Sequence, residues 1–93
     1  MSAVLTEQEE RLQNEQLVGT KAQHAYDQFI KEFCETKRQI LFDNFRTLPL
    51  TAEVEMMEVK RMLAAVDTLE DDILTVITTG KLAAQTLNKE VKH

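Results

Sequence analysis

The stretch RTLPLTAE, residues 46–53, decides how this chain folds, because it separates two long segments with helical periodicity. Pro49 disfavours helical dihedral angles at Leu48, and Thr51 is suited to cap the helix that follows. With only one proline and two glycines in the sequence, few other positions can hold a turn. We therefore predict an all-α chain, a long antiparallel helical hairpin that turns at Leu48–Leu50.

The predicted elements form one domain, residues 1–93. They are a helix at about 7–46, a turn at about 47–51 and a helix at about 52–90. A chain of this length buries a modest fraction of its surface, so we expect further stabilisation through association, with helical hairpins assembling into an oligomeric bundle.

Charge and composition narrow the function classes. The 11 basic and 16 acidic side chains give a formal net charge of −5, which argues against nucleic acid and anionic membranes as partners and favours a protein with a basic surface. The single cysteine, Cys34, excludes an internal disulfide and fits a reducing compartment. Met1–Leu5 does not have the pattern of a signal peptide, and no run approaches about 20 apolar residues, so we expect a cytoplasmic location and no membrane.

The first helix is predicted to begin at a capping box, Thr6-Glu7-Gln8-Glu9. The Thr6 hydroxyl can accept a hydrogen bond from one free amide, and Glu9 can reach back to another. Apolar residues then recur on one stripe, which predicts a single long amphipathic helix. The stripe has Leu5, Leu12, Gly19, Tyr26, Phe33 and Ile40 at a spacing of seven, with Ala22, Phe29, Ile30, Leu41, Phe45 and Leu48 between them.

The second stripe follows Pro49 and alternates steps of three and four residues. It comprises Val59, Met62, Val66, Leu69, Ile73, Val76, Gly80, Ala83 and Leu87. Because the phase survives Gly80, we expect the helix to continue through that residue at a cost of about 1 kcal/mol. The alternative is a left-handed cap at Gly80, which would end the helix after Thr79.

A hairpin that folds back at Pro49 places residue n near the residue numbered about 98 − n. Gly19 and Gly80, the only two glycines, would then lie side by side. Either the two backbones approach closely there, or the glycines form a flexible level at which the hairpin bends. The nearby weak helix formers favour bending; they are Thr20, Thr78 and Thr79.

Charges favour antiparallel helices in this register. Lys31, Lys37, Arg38 and Arg46 would lie level with Glu53, Glu55, Glu58 and Asp67. Exposed pairs contribute only about 0–1 kcal/mol each, but they discriminate against the parallel arrangement.

Apolar residues also lie outside the two stripes, where one hairpin cannot cover them. Large exposed apolar patches mark binding surfaces, so we predict an interface with a second copy or a protein partner. Its residues are Phe42, Met56, Met57, Leu63, Leu74 and Ile77. The alternative is that the chain folds back again near Gly19 or Gly80 and forms a small helical bundle by itself.

No motif specifies catalysis or a nucleotide. Thr79-Gly80-Lys81 lacks the upstream glycine and the following Ser or Thr of a phosphate loop. Glu70-Asp71-Asp72 is expected to be a solvated acidic face, because carboxylates do acid–base chemistry only in a shared pocket. We therefore predict no enzymatic activity.

No metal or cofactor site is predicted either. His24 has Thr20 and Gln28 at the four-residue spacing of helical metal sites, and His93 has no ligand at that spacing. Cys34 adjoins Phe33 near the stripe and is expected to be a packed apolar residue rather than a nucleophile.

The C-terminal half carries a family resemblance. Ile77-Thr78-Thr79-Gly80-Lys81-Leu82-Ala83, with Met62-Leu63, Leu69 and Leu87, resembles a group of small helical proteins encoded by tailed bacteriophages. These proteins have a proline-containing turn, a long second helix and a closing Thr-Gly-Lys-Leu-Ala segment, and the resemblance covers about residues 26–88. It implies a phage origin, a role in virion assembly or host takeover, and no established enzymatic activity.

Two functional hypotheses follow. The first is a non-enzymatic structural or assembly factor of the virion, which self-associates and binds protein in the host cytoplasm or the virion. The second is a small inhibitor or ligand sponge that acts against a host defence system. In the second, Lys21 and Lys81 would contact an anionic small molecule near the level of Gly19 and Gly80.

Overall fold

The computed structural model describes residues 6–91, with side chains to residue 89. Every regular element in this range is helical. The elements are α1, Glu7–Ala25; a π-helical segment, Tyr26–Ile30; α2, Lys31–Thr47; and α3, Glu53–Val91. The prediction of an all-α helical hairpin is confirmed. Leu5, the first position of the predicted stripe, and His93 lie outside the described residues.

Thr6 caps α1. Its hydroxyl accepts a hydrogen bond from the Glu9 amide at 3.1 Å and donates one to the Glu9 carboxylate at 3.2 Å. The reciprocal bond of a capping box would instead join that carboxylate to the Thr6 amide. Thr6 and Glu9 are therefore hydrogen-bonded to each other as predicted, but the Glu9 carboxylate bonds to the Thr6 hydroxyl rather than to the Thr6 amide.

Pro49 produces the turn. Leu48 leaves the helical region, with φ −71° and ψ 137°, as expected for a residue before proline. The Pro49 carbonyl accepts a hydrogen bond from the Ala52 amide at 2.9 Å, and the Ala52 carbonyl accepts one from the Met56 amide at 3.0 Å. Ala52 therefore takes the cap position of α3 that the sequence predicted for Thr51.

The chain divides into two compact units. The turn unit is Tyr26–Asp72 and contains the π-helical segment, α2, the turn and the first half of α3. The terminal unit comprises residues up to Ala25 and from Ile73, and contains α1 and the second half of α3.

The core of the turn unit differs in phase from the predicted stripe. Its buried residues are Cys34, Leu41, Val59 and Val66, with Ile30, Leu48 and Leu63 packed against them. Phe33 and Ile40, predicted to be on the stripe, are 58% and 49% exposed. The cause is the π-helical segment, which adds one residue to a turn. The spacing of seven that leads to Tyr26 becomes eight, so Cys34 is buried in place of Phe33. Leu41, which the predicted stripe also included, is buried, whereas Ile40 is not.

The same one-residue difference occurs in α3. Met62, Leu69 and Val76 were predicted to be on the stripe and are exposed, while Leu63 and Glu70 are half-buried and Ile77 is buried. The helix alternates steps of four and three from Val59, whereas the prediction alternated three and four. Both alternations have the 3.5-residue period of packed helices, so periodicity alone does not distinguish them.

Gly19 and Gly80 hold the two helices of the terminal unit in direct backbone contact. A Cβ built on Gly19 would lie 2.7 Å from the Gly80 Cα, and one built on Gly80 would lie 2.8 Å from the Gly19 Cα and 3.0 Å from the Glu15 carbonyl oxygen. Helix α3 runs through Gly80, and no described residue has positive φ. The structure therefore has the close approach at this level and does not have the left-handed cap.

Gly80→Ala is expected to destabilise the protein. Alanine favours the helix by about 1 kcal/mol, but its methyl group would overlap the Gly19 backbone, and overpacking costs about 1–3 kcal/mol. The free energy of unfolding, measured by urea denaturation, should fall by up to about 2 kcal/mol. Lys81→Ala, at the adjacent exposed position, is the control and should change it by less than about 0.5 kcal/mol. A more stable Gly80→Ala variant would contradict the close approach.

Candidate functional site

The turn unit contains a polar cluster of Tyr26, Arg38, Asp67 and Glu70. Arg38 bridges two carboxylates: its Nη2 donates to Glu70 Oε1 at 2.7 Å, and its Nε donates to Asp67 Oδ1 at 2.9 Å. The Tyr26 hydroxyl donates to the other oxygen of Glu70, Oε2, at 3.2 Å. Both oxygens of Glu70 therefore have a partner from the first half of the hairpin.

This cluster corrects the prediction for the acidic run at residues 70–72. The side chain of Glu70 is only 17% exposed and occupies the buried side of α3, whereas the prediction placed it on a solvated face. A carboxylate in this position requires hydrogen-bonding partners, because burial of an unpaired charge is costly. Arg38 and Tyr26 supply them, and Tyr26 is the first residue of the π-helical segment.

The cluster also determines the protonation of its neighbours. Hydrogen bonds to Glu70 and then to Asp67 raise the pKa of Arg38, which keeps the guanidinium charged. Burial, followed by the hydrogen bond to Glu70, raises the pKa of Tyr26. Burial also raises the pKa of the Cys34 thiol, to which the Glu70 charge adds and against which the Arg38 charge acts. Cys34 is fully buried, so its thiol has neither the exposure nor the thiolate character of a nucleophile.

An apolar groove lies in the same unit, nearer to the turn. Its lining residues are Phe42, Phe45, Met56, Met57, Lys60 and Leu63, and its volume is about 410 Å³. Four of the six residues predicted for an interface therefore line one surface. Sequence reasoning missed Phe45, which was assigned to the stripe, and Lys60, which no apolar pattern could reveal.

The groove and the polar cluster lie on the same side of the helices. Arg38 precedes Phe45 by seven residues, while Asp67 and Glu70 follow Lys60 and Leu63 by seven. Seven residues are close to two helical turns, or about 10 Å. Asp67 and Glu70 therefore lie about two turns further from Pro49 than Lys60 and Leu63, so the carboxylates of the polar cluster lie beyond the groove along α3.

The other two predicted interface residues are not part of this surface. Leu74 and Ile77 belong to the terminal unit. Ile77 is 5% exposed and is therefore a core residue, so its assignment to a free surface is wrong. The reason is the phase of α3, which buries Ile77 in place of Val76.

A shallow pocket of about 230 Å³ lies in the terminal unit. It is lined by Asn14, Glu15, Val18, Thr75, Val76 and Thr79. Lys21 follows Val18 by three residues and so lies on the same side of α1, one turn along. Lys81 lies on a different side of α3 from the pocket, about 160° around the helix from Thr79 and about 120° from Thr75. The helix geometry therefore separates the two lysines that were predicted to share a ligand.

Comparison with known proteins adds no assignment: no family model, curated protein or solved structure matches this chain. Within residues 6–91, no helix has the length and apolar character needed to cross a membrane. In the same part of the chain, no three His, Cys, Asp or Glu side chains are grouped so that they could hold a metal ion.

Substitution of the two carboxylates that bind Arg38 should have unequal effects. Glu70→Gln removes the charge of a largely buried acceptor, and we expect the free energy of unfolding to fall by about 1–3 kcal/mol. Asp67→Asn is the matched control, since Asp67 is 60% exposed and an exposed ion pair contributes less than about 1 kcal/mol. Urea denaturation of the two variants measures the difference. Equal losses would show that Glu70 is not the principal partner of Arg38.

Proposed function

We propose that this chain is a non-enzymatic helical interaction protein that self-associates through the apolar groove and acts as a structural or assembly factor of a phage particle. The observation that carries the proposal is the groove itself. Phe42, Phe45 and Met57 are 52%, 44% and 56% exposed and line it together. A monomer that leaves such a cluster in water gains stability by covering it.

The charge of the chain supports a second, protein-binding role. With a formal net charge of −5, an assembly of several copies would attract a basic protein surface and repel other acidic ones. The setting in a phage particle rests on the resemblance of the segment around Gly80 to small phage proteins. The cysteine thiol, buried at Cys34, serves packing, and the groove offers contact area rather than reactive groups, which fits a role in binding.

Met57→Glu should weaken self-association. A carboxylate in the groove would have to be desolvated against aromatic side chains, which is costly. We expect the wild type to have a mass above that of one chain by light scattering after gel filtration, and Met57→Glu to be shifted at least about 10-fold towards monomer. Leu69→Glu is the control, since Leu69 is an exposed apolar residue of α3 outside the groove. A monomeric wild type would refute the proposal.

The assembly role has its own test. Particles of the phage that encodes the chain would be purified and their proteins identified by mass spectrometry. Recovery of the chain with a capsid, portal or tail component supports the role. Its absence from particles and from assembly intermediates, with self-association intact, would refute the assembly role while leaving the interaction surface in place.

A second candidate function is that of a ligand sponge against a host defence system, and the pocket in the terminal unit favours it. The hydroxyl group of Thr79 and the amide of Asn14 offer hydrogen bonds there, and Lys21 supplies positive charge one helical turn away. Glu15 also lines the pocket, so an anionic ligand would have to place its charge away from that carboxylate.

The sponge hypothesis predicts that Lys21 matters and Lys81 does not. A thermal-shift and calorimetric screen with cyclic nucleotides and nucleotide sugars would first identify a ligand. Lys21→Glu should then weaken binding at least about 10-fold, while Lys81→Glu, on the far side of α3, should leave it unchanged. No binding across the screen, or equal effects of the two substitutions, would count against this function.

A further inference from the structure

Two unpaired, oppositely charged residues lie on either side of the methionines in the groove. Glu53 and Lys60 are seven residues apart and thus on one side of α3, with Met56 and Met57 between them. Lys60 lines the groove directly. Among the described residues, neither Glu53 nor Lys60 has an ion pair within the chain, whereas Arg38 has two and Arg11 and Arg61 have one each.

From this pattern we infer that the groove is covered by a second copy of the chain, in an antiparallel two-fold pairing of the start of α3. The inference deepens the proposed function and rests on it. The axis passes between Met56 and Met57, so that Met56 of one copy meets Met57 of the other. Glu53 of each copy then lies level with Lys60 of the other, and two symmetric ion pairs form.

The face is self-complementary, which selects a second copy over other partners. In a two-fold interface the same patch serves both subunits, so a negative and a positive residue placed symmetrically about an apolar centre satisfy each other. A basic partner would confront Lys60, and an acidic partner would confront Glu53. Only a partner with the reversed order of charges matches, and a second copy in antiparallel orientation provides it.

The pairing also accounts for the most exposed apolar side chain of the turn. Leu50 is 92% exposed. Under the same two-fold relation, Leu50 of one copy lies level with Leu63 of the other, a residue that lines the groove. The turn of each copy would thus cover the groove of its neighbour. Asp67 and Glu70, which bind Arg38, lie beyond Leu63 along α3, at the end of the apolar surface that is further from the turn.

Charge reversal tests this geometry. Glu53→Lys alone would oppose two lysines in each pair, and Lys60→Glu alone would oppose two glutamates. Each variant should therefore dissociate at least about 10-fold more readily than the wild type in sedimentation equilibrium.

An equimolar mixture of Glu53→Lys and Lys60→Glu should recover association to within about 3-fold of the wild type. In the mixed dimer the two substituted side chains face each other with opposite charges, a lysine from one copy against a glutamate from the other. The native Lys60 of the first variant and the native Glu53 of the second form the other ion pair. Both pairs are therefore restored, one of them with its charges reversed.

Glu55→Lys provides the matched control. Glu55 lies in the same first turn of α3, so its reversal has the same effect on net charge and on the helix terminus, but it is about 200° around the helix from Glu53. Glu55→Lys keeps both Glu53 and Lys60, so it should associate on its own like the wild type. Its heterodimer with Lys60→Glu would oppose two glutamates in one of the two pairs, so Glu55→Lys should not recruit Lys60→Glu into a dimer. Circular dichroism of every variant establishes that the helices are intact before association is compared.

Each outcome is decisive. Recovery of association in the Glu53→Lys and Lys60→Glu mixture, without recruitment of Lys60→Glu by Glu55→Lys, establishes the pairing. A wild type that associates through Met57, with no recovery in the Glu53→Lys and Lys60→Glu mixture, refutes the two-fold geometry and leaves the proposed function standing. A wild type that is monomeric throughout refutes both.

Discussion

A pair of packed helices can bury only one narrow stripe of each helix, and this constraint decides which side chains of the chain are covered. In the turn unit the covered set centres on Cys34, Leu41, Val59 and Val66. Many apolar side chains on the other sides of the helices stay exposed. Phe29 is 71% exposed and Val54 72%, and such residues are buried only if another molecule supplies the missing surface. The groove near the turn is where several exposed apolar side chains converge.

The helical class, the position of the turn and the placement of Gly19 beside Gly80 could all be predicted from the sequence, because each has a local cause. The close backbone contact at this level was only one of two alternatives, and the sequence favoured bending. Pro49 stops a helix, Thr6 starts one, and two glycines in a register set by the turn meet without side chains between them. The phase of the buried stripe could not be predicted in the same way. At several positions two adjacent residues are both apolar, so the sequence does not decide which of the two is buried. These pairs are Phe33 and Cys34, Ile40 and Leu41, Met62 and Leu63, and Val76 and Ile77.

Leu69 and Glu70 show what hydrophobic periodicity misses. Leu69 is apolar and Glu70 is charged, yet Glu70 is the one of the two that lies on the buried side of α3. The reason is a set of partners from distant parts of the sequence, Tyr26 and Arg38, that no spacing rule connects to Glu70. The π-helical segment that begins at Tyr26 shifts the phase of α2, and that shift accompanies the burial of Glu70. The wrong prediction of which residues form the buried stripe and the wrong prediction that Glu70 is exposed therefore have related causes. Ile77 was wrongly assigned to the surface because the phase of the buried stripe along α3 was also wrong.

The polar cluster and the groove lie on the same side of the turn unit but differ in their effect. The cluster specifies the register of the two helices, whereas the groove leaves apolar surface exposed. A charged residue at a buried position lowers stability relative to an apolar one but specifies a partner, as single polar residues do in coiled coils. Arg38 and Tyr26 both bond to Glu70 in the observed register of the hairpin, and these bonds favour that register. With that register fixed, Phe42 and Phe45 from α2 and Met56 and Met57 from α3 lie together and line one groove. An apolar residue at position 70 would pack against several neighbours and leave the register less defined. The lining of the groove therefore depends on an ionic contact, further along α3, that aligns the two helices that build it.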